Sequence, residues 1–272
     1  MTFAERLRAA QRHTNSLLCV GLDTDSRKLP PSLAGCENPV LEFNKRIIEA
    51  TADLVCAYKI NLAFYEAEAD LGLETLRPTL RLIPGHVISI GDAKRGDIGN
   101  SSERYAHELL DVLHFDSSTV NPYMGADSVA PFLARQEKGA FVLAVTSNPG
   151  AKDLQYLPVK GRPLYEHVVR KVKKWNVLEN CGLVVGATRP KELKSVRSIV
   201  PRMPLLIPGV GSQGGDLAAT IRYGCDKEGL MAVINASRSI LYASSKEDFA
   251  EAARKEAVAL RDEMNRLREK YF

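Results

Sequence analysis

The stretch Gly91-Asp92-Ala93-Lys94-Arg95-Gly96-Asp97-Ile98 sets two carboxylates and an ammonium within six residues. Groups of these types serve acid–base and electrostatic chemistry when a fold holds them still. The stretch follows Val87-Ile88-Ser89-Ile90, an apolar, β-rich run that reads as a short buried strand. Side chains alternate along an extended segment, so Asp92 and Lys94 would share one side. A solvated charged turn has the same composition. What separates the two readings is the company the motif keeps.

That company stands at the ends of other apolar runs. One run ends in Gly21-Leu22-Asp23 and another contains Tyr58-Lys59. Asp23, Lys59, Asp92 and Lys94 would then converge on one mouth, more charge than a purely structural domain requires. Two later runs end differently, in Pro208-Gly209-Val210-Gly211-Ser212-Gln213-Gly214-Gly215-Asp216 and in Ile234-Asn235-Ala236-Ser237-Arg238-Ser239. Glycines let backbone N–H groups approach an oxyanion, and the Gln213 amide can donate to phosphate. Arg238 would add bidentate charge-assisted hydrogen bonds, beside a helix N-terminus. These two loops read as a phosphate site.

The elements that must position these groups repeat in order: apolar run, polar or Gly/Pro loop, helical stretch. The runs are Leu17–Asp23, Ala57–Leu62, Val87–Lys94, Ser118–Pro122, Phe141–Ser147, Leu183–Thr188, Leu205–Gly211 and Met231–Arg238. Eight such βα units predict a parallel sheet closed as a (β/α)8 TIM barrel, with its active site at the carboxyl ends of the strands. Asn38-Pro39 opens one helix as cap and first residue, followed by Val40, Phe43 and Ile47 at helical spacing. A helix over about Pro163 to Trp175 is expected to turn Leu164, Val168, Val172 and Trp175 to one face. Another from Arg189-Pro190 turns Leu193, Val196 and Val200 inward. The amphipathic start and a final helix over Lys246–Phe272 would flank the barrel. Asn148–Gly161, with two prolines and two glycines, reads as a long loop that could be a lid, a binding loop or a plain surface loop.

No linker or shift of composition divides the chain, so residues 1–272 are expected to form one domain. A length of 272 residues suits an α/β barrel, and 45% hydrophobic with 26% charged residues is ordinary for a soluble globular protein. The formal charge of +4 is modest. Its densest cluster, Arg170-Lys171-Val172-Lys173-Lys174, reads as the solvated face of an amphipathic helix. Neither nucleic acid nor a membrane surface is indicated, while small anionic ligands are compatible. The amino terminus lacks the apolar core of a signal peptide, and no apolar run approaches the ~18 residues of a membrane span. Five cysteines without a C-x-x-C pair, with Cys19, Cys56 and Cys181 in or beside apolar runs, point to free thiols and a reducing cytoplasm.

Taken in order, these segments resemble the orotidine 5′-phosphate decarboxylase family, and within it the longer bacterial branch. The matching pieces are Gly-Leu-Asp23, Tyr-Lys59, Gly-Asp92-Ala-Lys94-Arg-Gly-Asp97-Ile98 and Val-Thr-Ser147-Asn-Pro-Gly. Pro208-Gly-Val-Gly-Ser-Gln213-Gly-Gly and Asn-Ala-Ser-Arg238-Ser-Ile complete the set, which runs from the first strand to the last. Asp-x-Lys-x-x-Asp by itself is shared with other sugar-phosphate barrels. Ser237 stands where many relatives have glycine.

The resemblance implies a cofactor-free, metal-free conversion of orotidine 5′-monophosphate to uridine 5′-monophosphate and carbon dioxide. It casts Lys94 as the cation beside the reacting carbon and as its proton donor, with Asp92 and Asp97 keeping the ammonium charged and Lys59 joining the charged network. It implies substrate contacts from Asp23, Ile98, Ser147, Pro208, Gln213 and Arg238. Asp23 and Lys59 would hold the ribose hydroxyls, Ser147 the pyrimidine edge, and Gln213 and Arg238 the phosphate. It further implies a homodimer in which Asp97 and Ile98 serve the neighbouring subunit's site. Two other readings share the barrel: a sugar-phosphate lyase whose aspartates hold magnesium, and a catalytically silent nucleotide-binding barrel.

Overall fold

The computed structural model describes residues 1–210 and 216–272. Eight parallel strands close into a barrel, and helices connect them on the outside. In chain order the strands are β1 (Leu18–Gly21), β2 (Ala57–Asn61), β3 (Ile88–Arg95), β4 (Ser117–Val120), β5 (Gly139–Val145), β8 (Cys181–Val185), β9 (Leu205–Pro208) and β10 (Ala232–Ala236). Each pairs with the next, and β10 pairs with β1 to complete the ring. All eight expected runs are therefore strands. Several end two or more residues earlier than their apolar pattern suggests: β1 stops at Gly21 and β10 at Ala236. Asp23 and Arg238 thus stand just beyond the ladder, at the carboxyl end of the barrel.

Apolar contacts hold the two ends of the chain against this barrel. The helix Phe3–His13 is opened by a capping box, with the Thr2 hydroxyl accepting from Glu5 N and the Glu5 carboxylate accepting from Thr2 N. It lies under the amino-terminal ends of the strands. Its buried Gln11 donates to Ala232 O at 2.7 Å and accepts from Met231 N at 2.9 Å, and Phe3 meets the Phe141 ring edge-on. The last helix, Phe249–Tyr271, stacks Phe249 on Phe43 of the helix Pro39–Thr51, closing the outer layer. Asn38 caps that second helix through Leu41 N, as its Asn-Pro start predicts. The five cysteines are all unpaired, and Cys19, Cys56 and Cys181 are buried.

Two expectations need correction. The segment after β5 is a turn of helix (Ala151–Leu154) followed by a hairpin, β6 (Pro158–Val159) and β7 (Arg162–Pro163), rather than one long loop. Lys160 and Gly161 both take positive φ, 48° and 76°, the conformation a two-residue hairpin turn requires. Strands of two residues carry no readable period, so only the Lys-Gly pair hints at them. The second correction concerns the helix Leu164–Trp175, which buries Tyr165, Val169 and Val172. Leu164, Val168 and Trp175 are only partly covered. Tyr165 is drawn in by an edge contact with the Tyr156 ring, a partner that periodicity within one helix does not reveal. Arg170, Lys171, Lys173 and Lys174 of the same helix face solvent, as expected.

Candidate active site

The strand register builds the charged wall of the site. Gly21 stands opposite Lys59, and Asn61 opposite Asp92, so the ends of β1, β2 and β3 bring Asp23, Lys59 and Asp92 together. Lys59 is 4% exposed, yet its ammonium lies 3.3 Å from Asp23 Oδ1 and 3.1 Å from Asp92 Oδ2. Burial alone would lower the pKa of this lysine. The negative charges of Asp23 and Asp92 outweigh burial and raise it, so Lys59 stays protonated. Breaking one side of such a cluster would leave an uncompensated buried charge, typically a loss of about 3–5 kcal/mol.

Asp92 joins this wall to Lys94. Its Oδ1 accepts from Lys94 Nζ at 2.6 Å and from the Thr119 hydroxyl at 2.9 Å. Burial works to raise the Asp92 pKa, but the charges of Lys59 and Lys94, with the hydrogen bonds from Lys94 and Thr119, bring it down to about 2. The carboxylate is thus ionised throughout the physiological range. Lys94 differs from Lys59 in being half exposed, with 49% of its side-chain surface open to the mouth. A local irregularity puts it there: β3 advances from Gly91 to Arg95 while β4 advances only from Ser118 to Val120. Within this bulge Lys94 takes φ 47°, a left-handed conformation that costs a non-glycine residue on the order of 1–3 kcal/mol. Its backbone N–H donates to Thr119 Oγ1 at 2.9 Å, which helps hold it in place.

These groups open into a cavity of about 720 Å³ at the carboxyl end of the barrel. Leu143, Val184 and Leu206 supply an apolar floor. Thr146, Ser147 and Asn148 stand at the end of β5, Pro208, Gly209 and Val210 at the end of β9, and Arg238 just past β10. Gly209 takes φ 102°, which only glycine adopts without strain. Charge and floor thus divide the cavity: a cationic and anionic network on the β1–β3 side, neutral hydrogen-bonding groups and one arginine on the other. The helix that starts at Arg238 is a single turn, Arg238–Leu241.

Of the residues singled out from the sequence, Asp23, Lys59, Asp92, Lys94, Ser147, Pro208 and Arg238 line this one cavity. Gln213 lies outside the described residues. Asp97 and Ile98 do not line it: among the described residues the Asp97 carboxylate accepts only the Ile98 N–H, at 2.8 Å, and Ile98 is 59% exposed. Sequence reasoning missed the roles of two polar side chains. Thr119 bridges Asp92 and the Lys94 backbone, as described above. Ser237 donates to Asp23 Oδ2 at 2.9 Å and accepts from Asn235 Nδ2 at 3.2 Å. The side chain at position 237 therefore takes part in holding Asp23. A hydroxyl-rich strand, Ser117-Ser118-Thr119, was the available signal for Thr119, because buried hydroxyls need partners.

The Orotidine 5′-phosphate decarboxylase / HUMPS family matches residues 16–255 of the chain. An orotidine 5′-phosphate decarboxylase of Dehalococcoides mccartyi is 50% identical over 275 residues, covering 100% of both chains. One from Ralstonia pickettii is 49% identical, over 98% of this chain and 100% of its own. Among solved structures, the OMP decarboxylase of Leishmania donovani superposes with a TM-score of 0.87 at 37% identity, over 99% of each chain. A family match over most of the chain, full-length relatives at half identity and a mouth carrying the matching residues lead to one conclusion: the chain belongs to the orotidine 5′-phosphate decarboxylase family.

Proposed function

We infer that the chain converts orotidine 5′-monophosphate to uridine 5′-monophosphate and carbon dioxide, a step of pyrimidine nucleotide synthesis. The observation that carries this reading at the site is the Lys94 ammonium, held at 2.6 Å by an Asp92 that Lys59 also grips, at the rim of a cavity with an apolar floor. When the bond between the ring and its carboxylate breaks, carbon dioxide leaves and the electron pair stays on the ring carbon. Lys94 stabilises that charge more than it stabilises the substrate, and its Nζ then gives a proton to the same carbon. The neutral amine regains a proton from solvent. No metal or organic cofactor enters the scheme.

Around this step the pyrimidine rests on Leu143, Val184 and Leu206, with Ser147 at its edge. Asp23 and Lys59 hold the ribose hydroxyls. Arg238, with Gln213, receives the phosphate, and Pro208 offers the substrate an apolar surface. We assign Asp97 and Ile98 to the neighbouring site of a homodimer. Supporting this, Ile98, Tyr123 and Met124, just past the ends of β3 and β4, are large apolar side chains exposed to solvent. Five unpaired cysteines suit a cytoplasmic location.

The test follows the ultraviolet absorbance of orotidine 5′-monophosphate incubated with the purified protein and a metal chelator. The expected result is the change that accompanies conversion to uridine 5′-monophosphate, undiminished by chelator. Activity lost on chelation would favour a magnesium-dependent lyase. Tight uridine 5′-monophosphate binding with no absorbance change would identify a silent nucleotide-binding barrel.

A further inference from the structure

Thr119 lies on β4, is 1% exposed, and accepts a hydrogen bond from the Lys94 backbone N–H. Its hydroxyl has one proton to give and lone pairs to receive. The Lys94 N–H can only donate, and the ionised Asp92 carboxylate can only accept. The direction of both bonds is therefore fixed: Lys94 N–H to Thr119 Oγ1 at 2.9 Å, and Thr119 O–H to Asp92 Oδ1 at 2.9 Å. The same Asp92 oxygen takes the Lys94 ammonium at 2.6 Å. A closed ring results, running from the Lys94 backbone through one hydroxyl and one carboxylate to the end of the Lys94 side chain. It sits where β3 bulges against β4 and Lys94 is left-handed, so the backbone alone does not fix where the ammonium points.

We propose that Thr119 is a positioning residue for Lys94, its hydroxyl setting both the backbone from which the ammonium projects and the carboxylate that holds it. The proposal rests on the decarboxylase reading of the site. A valine at this position keeps the shape and removes both hydrogen bonds; a serine keeps both bonds and removes only a methyl group.

The experiment measures single-turnover decarboxylation, uridine 5′-monophosphate affinity and thermal unfolding for the wild type and for T119V, T119A and T119S. Misplacing a reacting group by about 1 Å can cost on the order of 100-fold, so the hydroxyl-free variants should slow single turnover by about 10–100-fold. Their product affinity should stay within about threefold of wild type, because the ribose and phosphate contacts are untouched, and T119S should recover to within about threefold by the same geometric argument. Hydroxyl-free variants within twofold of the wild-type rate would overturn the role. So would a T119S as slow as T119V, or affinity that falls in step with rate. Unfolding of both hydroxyl-free variants beside a fully active T119S would assign the hydroxyl to stability and also overturn it. No turnover by the wild type would instead overturn the decarboxylase reading, and this role with it.

Discussion

The two halves of Asp92–Ile98 share one short motif and have opposite surroundings. Asp92 and Lys94 are bound into their own barrel mouth by Lys59 and Thr119, with every bond between 2.6 and 3.1 Å. Three residues on, among the described residues Asp97 accepts only its neighbour's N–H, and Ile98 offers an apolar side chain to solvent. A charge network that must hold a lysine against thermal motion is built before substrate arrives, which is what preorganisation requires. Among the described residues the Asp97 carboxylate joins no such network. The difference teaches that residues adjacent in sequence need not serve one cavity: Asp92 and Lys94 line the cavity of their own chain, and Asp97 and Ile98 do not.

The largest effect should come from breaking the complete half. Lys94→Ala removes the cation and the proposed acid together, and we expect turnover to fall by on the order of 10⁴-fold or more. Folding and uridine 5′-monophosphate binding should persist, and steady-state kinetics beside a binding titration reads both. A variant within about tenfold of wild type would reduce Lys94 to a solvated surface charge.

A smaller effect sharpens the contrast between the charged wall and the opposite rim. Arg238→Ala should weaken the phosphorylated substrate by about 1.5–3 kcal/mol, the range for charge-assisted hydrogen bonds. Turnover of the phosphate-free nucleoside should barely change. Equal losses on both substrates, measured as kcat/KM, would show that Arg238 acts elsewhere than on phosphate.

Most of the barrel was legible because its strands are apolar, β-branched runs punctuated by glycine, proline and charge. Asp23, Lys59, Asp92 and Lys94 were legible for a related reason: ionisable side chains at the ends of buried strands need an explanation. What escaped reading depends on contacts distant in sequence. The left-handed Lys94 follows from a register shift between β3 and β4, which neither strand encodes alone. Thr119 is an ordinary residue for a strand until Asp92, 27 positions away, turns out to face it. Ser237 and Asp23 meet across 214 positions, through the closure of the ring. The hairpin at Val159–Arg162 was too short for periodicity, and the buried face of Leu164–Trp175 was set by Tyr156 from outside the helix.

The most direct test of the comparison is to separate the two halves into different chains. Lys94→Ala and Asp97→Ala proteins, each nearly inactive alone, are dissociated, mixed and reassociated, with mixed dimers confirmed by mass. If Asp97 serves the neighbouring site of a two-fold dimer, each mixed dimer has one site with both defects and one with neither. About half the dimers are mixed at equal concentrations, so about a quarter of all sites become native and activity should climb to ~25% of wild type. If Asp97 acts within its own chain, every site keeps one defect. Confirmed mixed dimers that recover no activity would contradict the division of the motif between two sites.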